Sequence, residues 1–546
     1  MPWYDPCSIT CIPDNRRPLP GETEITELFA GFPRRFVVVG GGTTGYMAAA
    51  MLGRQLIPLG FDVVVVAPAE EAGLGVGEAT IPSLHRLLDH LGQDEPSMMR
   101  ACHATYKLGI QFVDWYRQDR QYWHPFGVCG ALIDGRDLFP YWLAASLRQE
   151  VRRPYQAFSL QWAAALSGKS PQGFGGQSPI AATRAYAFHI DAAAFAAWLR
   201  SVASAAGVRF IDGRVAGAAR GQDANRIESL ILEDGQEVAG DFFLDCTGFR
   251  STLLTECLRA PFIDWGGQLL CDRAIAIRFP GRREIPPFTR SAALSAGWAW
   301  TIPLQDRVGW GYVYASSHIS DDDALAELTK AAKSQGFEAD GPPPEPTRIP
   351  LRVGRQAAPW VGNVLAVGLA AGFVEPLEST ALHLTQVGLE RFLELLPDNR
   401  SEAVCRDIYN RTLTRALDEV RDFVQLHYHL SEREDSGFWS AARRAPISAA
   451  LESKLAGYDA CGWLGDLLPE AFPETSYYFL LSGNHRLPAR PGGLAALAPP
   501  ARLQEALKEI LAQNERACRE LPLHEEVLDW VHGGAPLGPG PQPGGG

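Results

Sequence analysis

Clustered positive charge is what this sequence most clearly lacks. Fifty Lys and Arg stand against 63 Asp and Glu, a net charge of -13. Neutralising a phosphate backbone needs grouped cations, so nucleic acid is excluded as a partner and an anionic membrane surface is disfavoured. Cysteine is scarce too, ten in 546 residues without regular spacing. Cys7 and Cys11 form the one close pair, and no His or Cys cluster follows them at zinc-site spacing. That pattern predicts no metal site and no disulfide framework, and it fits the reduced thiols of a cytoplasmic protein. No apolar run approaches the ~20 residues of a membrane span. The opening Met1-Pro2-Trp3-Tyr4-Asp5-Pro6 carries acid and proline where a secretory signal has an apolar core. Internal repeats are missing as well.

What is present is an ordinary globular composition, 46% hydrophobic, over a length that suits roughly two to four domains or one large fold with insertions. Residues 1–33 are rich in Pro, Arg and Glu and read as an irregular extension; 531–546, nearly all Gly and Pro, read as a disordered tail. Phe36-Val37-Val38-Val39 and Phe61 to Val66 are short, continuous apolar runs, the mark of strands buried on both faces. Between them Tyr46 to Leu52 reads as a helix, which completes a βαβ unit. Arg273 to Tyr314 alternates and is rich in aromatics, so antiparallel strands are expected there. Ser401 to Leu430 reads as a helix with a solvated charged face carrying Glu402, Arg406, Arg411, Arg415, Glu419 and Arg421.

The strand-to-helix junction carries the first chemistry. Gly40, Gly42 and Gly45 form G-x-G-x-x-G around Thr43 and Thr44. Such glycines allow a tight turn and a close backbone approach to pyrophosphate, which then sits at the positive end of the helix. A dinucleotide is expected here. The acid that usually follows the second strand and holds a ribose is missing: Ala67 stands there, with Glu70 and Glu71 further on. No second fingerprint occurs, so reduced cofactor is expected to come from elsewhere.

Four further runs occur in order: Gly75-Val76-Gly77-Glu78-Ala79-Thr80-Ile81-Pro82, Tyr106-Lys107-Leu108-Gly109, Trp298-Ala299-Trp300-Thr301-Ile302-Pro303, and Phe373-Val374-Glu375-Pro376-Leu377-Glu378-Ser379-Thr380. With these the chain resembles the flavin-dependent tryptophan halogenase family from about Arg35 to Leu523. The resemblance implies an α/β fold: a Rossmann-like FAD-binding domain of the GR2-type flavin monooxygenase kind over 34–110 and 180–395. It implies an inserted β-sheet and a mainly helical substrate-binding region over 111–179 and 396–530.

In that family reduced flavin and oxygen convert halide to hypohalous acid, and a buried lysine delivers it to one carbon of an aromatic ring. The resemblance assigns Lys107 as that lysine, holding the reagent by hydrogen bond or as a haloamine, and Glu378 as the second catalytic residue, orienting the reagent or taking the ring proton. The bland readings are a surface lysine and an acid at a helix N-terminus. Thr380 and Ala381 fall where backbone N–H groups hold halide, with Ala in place of a common Gly; Ser379 reads as a partial cap. Gly40, Gly42, Thr43, Thr44, Gly45, Ala79, Val215 and Leu369 are the expected cofactor contacts. Trp298 and Trp300 are expected to wall the flavin off from the substrate.

On the substrate side, His124 and Phe126 match the family's H-x-F segment, which sandwiches a flat ring. Tyr477-Tyr478 are present, and Phe472 falls where the family has a Trp. Leu467 takes the place of a Glu, and Ala460 and Cys461 the place of a Tyr pair, so the partners of an amino acid's ammonium and carboxylate are missing. Indole or another electron-rich aromatic is therefore expected in place of free tryptophan. The implied cofactor is FAD, used as FADH2, with O2 and chloride or bromide as co-substrates and a separate NAD(P)H-dependent flavin reductase as partner. A homodimer stays open as the assembly. An aromatic hydroxylase is the alternative activity, and a non-catalytic flavin-binding protein a third.

Overall fold

The computed structural model describes residues 31–69, 77–133, 135–174, 177–280, 284–337, 345–465, 467–468 and 472–533. The expected extension over 1–33 and tail over 531–546 lie almost wholly outside these residues. Where the tail was expected to begin, Val531 and His532 close the helix His524–His532.

The N-terminal βαβ unit forms as the apolar runs predict. Arg35–Val39 lies between Phe242–Asp245 and Asp62–Ala67, parallel to both, and Arg209–Asp212 extends the sheet beyond Asp62–Ala67. Phe36 to Val39 and Val63 to Val66 are buried throughout, because helices cover both faces of a parallel sheet. The helix Thr43–Leu56 packs with Ala48, Ala49 and Ala50 fully buried, side chains small enough to let it lie close.

A seven-stranded sheet forms the second layer. Its order is Thr347–Pro350, Arg273–Pro280, Arg307–Tyr314, Gly297–Pro303, Thr289–Leu294, Gly109–Val113, Gln121–Pro125. The expected antiparallel strands between Arg273 and Tyr314 are all here. The stretch 111–179, expected to be mainly helical, opens instead with strands, and Gly109–Val113 pairs in parallel with Thr289–Leu294. Its alternation is real: Ile110 and Phe112 are buried while Gln111 and Val113 are less so. Helices follow at Leu138–Leu147, Leu160–Leu166 and Pro179–Thr183.

A small antiparallel sheet holds the lysine strand. Ala187–Asp191 pairs with Gly77–Ala79 on one side and Thr105–Lys107 on the other. In its centre His189 bridges Thr105 Oγ1 (3.2 Å) and Thr289 Oγ1 (2.8 Å), which ties the small sheet to the large one. The C-terminal helix braces the same strand: His524 Nε2 accepts from Tyr106 N–H at 3.2 Å while Nδ1 donates to Ile285 O at 2.8 Å. Lys107 thus stands at a fixed corner, where the chain passes from the small sheet to the large one.

The helix expected over 401–430 runs from Glu402 to His429. Its charged face is not all solvated. Glu419 is buried and lies 3.1 Å from Lys454 Nζ, because it shares a stripe at four-residue spacing with Phe423 and His427, both buried.

Candidate active site

The cofactor cradle lies at the carboxyl ends of the parallel strands, where open α/β sheets bind their ligands. Gly40 holds φ +119°, and a Cβ there would sit 2.4 Å from Cys246 O; a Cβ on Gly45 would sit 2.0 Å from Gly40 O. Gly42, by contrast, faces open space. The helix Thr43–Leu56 begins with no acid in its first turn and no side-chain cap, so its first N–H groups are left for an anion. A backbone stripped of side chains on the cradle side, at the positive end of an uncapped helix, fits a dinucleotide pyrophosphate. Leu369 belongs to the turn Gly368–Ala370, which packs so closely on the cradle that a Cβ on Gly368 would meet Thr44 Oγ1 at 2.5 Å. Val215 opens a strand just past Arg209–Asp212, and Ala79 ends the strand Gly77–Ala79. After Ala67 no acid enters the cradle among the described residues; Asp212 Oδ1 instead accepts Ala69 N–H at 2.7 Å. Glu70, Glu71, Gly75 and Val76 lie outside them. Gly45→Ala should abolish flavin retention through clash with the Gly40 carbonyl, with loss of the yellow cofactor on gel filtration as the readout.

Lys107 is fully buried. Its Nζ donates to Thr80 O at 3.0 Å and to Ser379 Oγ at 2.9 Å, and lies 5.2 Å from the centre of the Phe126 ring. Burial pulls the amine down to about 7, against the opposing pull of the Glu378 charge. The amine is then partly neutral near pH 7, which a surface lysine is not. Thr80 is rigid because its hydroxyl and N–H both engage Phe188.

Ser379 is the residue that sequence reasoning placed wrongly. It does not cap the following helix, Ala381–Glu394, whose N-cap is Thr380. It takes the left-handed conformation, φ +61°, and turns its hydroxyl to Lys107. A non-glycine residue held there stores about 1 kcal/mol or more, which the surrounding contacts must offset. The tight turn also resolves the Ala381 question. Left-handed backbone falls on Ser379, and Ala381 is an ordinary first helical residue. Thr380 makes no side-chain cap, so the first-turn N–H groups stand at the positive end of a helix, ready for an anion. Thr380, Ala381 and Leu369 line one cavity, which joins the turn before the helix Ala381–Glu394 to the turn Gly368–Ala370.

Glu378 is 1% exposed. Burial alone would raise its pKa, but His124 and then His427 hold the carboxyl at about 2. His124 Nδ1 lies 2.8 Å from Oε2 and His427 Nε2 lies 2.9 Å from Oε1. His427 gave no motif; its signal was only that it falls one helical turn after Phe423. His124 was expected to face a flat ring. It does stand 6.2 Å from the Phe472 ring and 6.4 Å from Phe126, but both its nitrogens are engaged, Nε2 with Ser476 Oγ at 2.8 Å. Phe472 stacks on Phe423, centroids 3.8 Å apart. Ala460 and Cys461 end the helix Ala449–Cys461, and Leu467 is half-buried. Tyr478 stacks on Phe139 at 3.9 Å, and Tyr477 packs edge-on to Phe423 at 4.8 Å.

Trp298 and Trp300 lie on Gly297–Pro303 with ring centres 6.0 Å apart. Trp300 lies flat across its neighbour strand only because Gly311 is there: a Cβ at 311 would stand 1.9 Å from the indole. Trp298 lies beside Glu375, in the run that carries Glu378. Among the described residues, no three His, Cys, Asp or Glu gather as a metal site, and no helix is long and apolar enough to cross a membrane.

The parallel sheet with its glycine cradle is that of a dinucleotide-binding fold, and Lys107 adds a buried amine held by Thr80 and Ser379. The tryptophan halogenase family model matches residues 35–500. Tryptophan 7-halogenase RebH of Lentzea aerocolonigenes is 31% identical over 538 residues, covering 91% of this chain and 99% of the relative. Two solved structures superpose with a TM-score of 0.84. One is the flavin-dependent halogenase BrvH from Brevundimonas sp. BAL3, at 38% identity, covering 91% of this chain and 99% of that one. The other is a flavin-dependent halogenase from Xanthomonas campestris, at 35% identity with 92% and 98% covered. The chain belongs to the tryptophan halogenase family. Membership favours halogenation of an aromatic substrate over the hydroxylase alternative.

Proposed function

We propose that the protein halogenates indole or another free, electron-rich aromatic rather than free tryptophan. It does so with FADH2 from a separate NAD(P)H-dependent flavin reductase, O2, and chloride or bromide. What supports the substrate choice is the resemblance read from the sequence: Ala460, Cys461 and Leu467 fall where the family's polar partners for the amino acid are expected, and Phe472, which stacks on Phe423, where it has a Trp. A site without partners for an ammonium and a carboxylate gives up that discrimination.

Bound reduced flavin and O2 supply the two-electron oxidation that turns halide into hypohalous acid. The chain's residues do the rest. The N–H groups of Thr380 and Ala381 hold the halide. Trp298 and Trp300 wall the flavin side from the ring. Lys107, fixed by Thr80 and Ser379, holds the hypohalous acid by hydrogen bond, or its neutral amine takes the halogen on Nζ as the O–halogen bond breaks and water leaves with the amine proton, and presents it to the ring. Glu378 stays ionised, opposes the positive charge that develops on the ring, and accepts the proton that leaves. His124 and Phe126 line the ring's site.

Competition of equal indole and tryptophan in one reaction tests the substrate reading. Haloindole should dominate the product by at least about tenfold. A preference for tryptophan would overturn it.

A further inference from the structure

We propose that Ser476 and Tyr122 are positioning residues: each fixes the tautomer of one imidazole so that His124 and His427 both turn an N–H toward Glu378. The inference rests on the reading of Glu378 as the working carboxylate.

The geometry is a chain with Glu378 at its centre. On one side run Glu378 Oε2, His124 Nδ1 and Nε2, and Ser476 Oγ, with both links at 2.8 Å. On the other, His427 Nε2 stands 2.9 Å from Glu378 Oε1, close but outside hydrogen-bond alignment, and His427 Nδ1 lies 2.8 Å from Tyr122 Oη. All five side chains are buried. A neutral imidazole has one N–H and one lone pair, and it can turn the wrong one to a carboxylate. Burial lowers the pKa of His427 and so favours the neutral ring, whose single proton must lie on Nε2 if it is to serve Glu378. Glu378, ionised and acceptor-only, calls for the N–H on the near nitrogen, and a hydroxyl that can donate to the far nitrogen stabilises that tautomer, which would otherwise leave a buried lone pair unsatisfied. Ser476 and Tyr122 are the hydroxyls so placed. The Glu378 charge also acts on Lys107.

The fold delivers both hydroxyls by the same means. Tyr122 and His124 are two apart on Gln121–Pro125 and so share a face. Ser476 and Gly483 are seven apart on the helix Glu474–Gly483, two turns, and share a face as well. Gly483 lets the helix approach: a Cβ there would stand 2.7 Å from Tyr122 Cβ. Tyr122 cannot swing, because its ring stacks on Phe112 at 4.8 Å and 9°. Neither hydroxyl is near enough to the reagent's lysine to appear among its partners.

The test uses the full-length enzyme with its reductase and indole. Ser476→Ala and Tyr122→Phe should each lower kcat by about tenfold with KM changed less than about twofold, and Ser476→Thr should restore the rate. Two-bond proton–nitrogen spectra of histidine-labelled protein give a readout independent of turnover. His124, assigned by its loss in His124→Asn, should be the Nδ1–H tautomer in the wild type and mixed in Ser476→Ala. Should Ser476→Ala fail to fold, Tyr122→Phe removes one oxygen from a stacked ring and makes the same test at His427. If Glu378→Gln is inactive while both hydroxyl variants keep the wild-type kcat and tautomers, the inference falls alone. If Glu378→Gln is fully active, the reading beneath it falls and takes the inference with it.

Discussion

Lys107→Met should abolish halogenated product, with kcat down at least about 10³-fold, and should at the same time make the protein more stable below pH 7. Both effects have one cause. A fully buried ammonium costs the fold what the reaction needs, an amine that is partly neutral near pH 7 and shielded from water. The sign follows from linkage. The folded pKa is about 7, below the 10.5 of the exposed group, so the unfolded chain binds the extra proton between those values. Stability therefore rises with pH across that window, and the penalty is fully present below it. Methionine has similar volume and no charge. Urea unfolding should place Lys107→Met a few kcal/mol above the wild type at pH 6 and much nearer to it at pH 10. Destabilisation at pH 6 would show that the ammonium is well compensated by Thr80 and Ser379. An aromatic hydroxylase would also keep its product in this variant, since it delivers oxygen without a carrier amine.

Glu378→Gln should lower kcat by about 10² to 10³-fold with the opposite signature in stability. The glutamate is held at about 2 against an ordinary 4.5, so its ionised form is favoured in the folded state. That contribution is complete above the unfolded pKa and is lost as pH falls through the folded one. Glutamine keeps the shape but turns an N–H toward one of two imidazole donors. A drop in the urea midpoint at pH 7 that narrows toward pH 3 is expected. The pair of variants thus separates two buried charges: one the fold pays for, one it is built around.

Much of this site was legible because its residues sit in short runs with backbone reasons to exist. Gly40 and Gly45 are fixed because an added Cβ would stand 2.4 and 2.0 Å from backbone oxygens, and Lys107 and Glu378 lie in runs that resemble those of the family. The helix Glu402–His429 was legible as a helix, but its functional stripe was not. Glu419, Phe423 and His427 recur every four residues, as any core stripe does, and nothing local marks His427 as a partner of Glu378, forty-nine positions away. Ser476 and Tyr122 were invisible for the same reason: a hydroxyl gains meaning only when a helix and a strand bring it to an imidazole. Ser379 was misplaced because a serine before a helix reads as a cap, whereas here it takes a left-handed turn and gives its hydroxyl to Lys107 as an acceptor. The strands at 109–125 could have been read from their alternation, which a general expectation of helix overrode.

Product mass spectrometry tests the central claim most directly. The enzyme is supplied with FAD, a separate reductase, NADH, air, indole and sodium bromide. A monobrominated indole with the paired isotope pattern of bromine is expected, dependent on bromide and missing in Lys107→Met. An indole that gains only oxygen, or a bromoindole formed equally well by Lys107→Met, would contradict it.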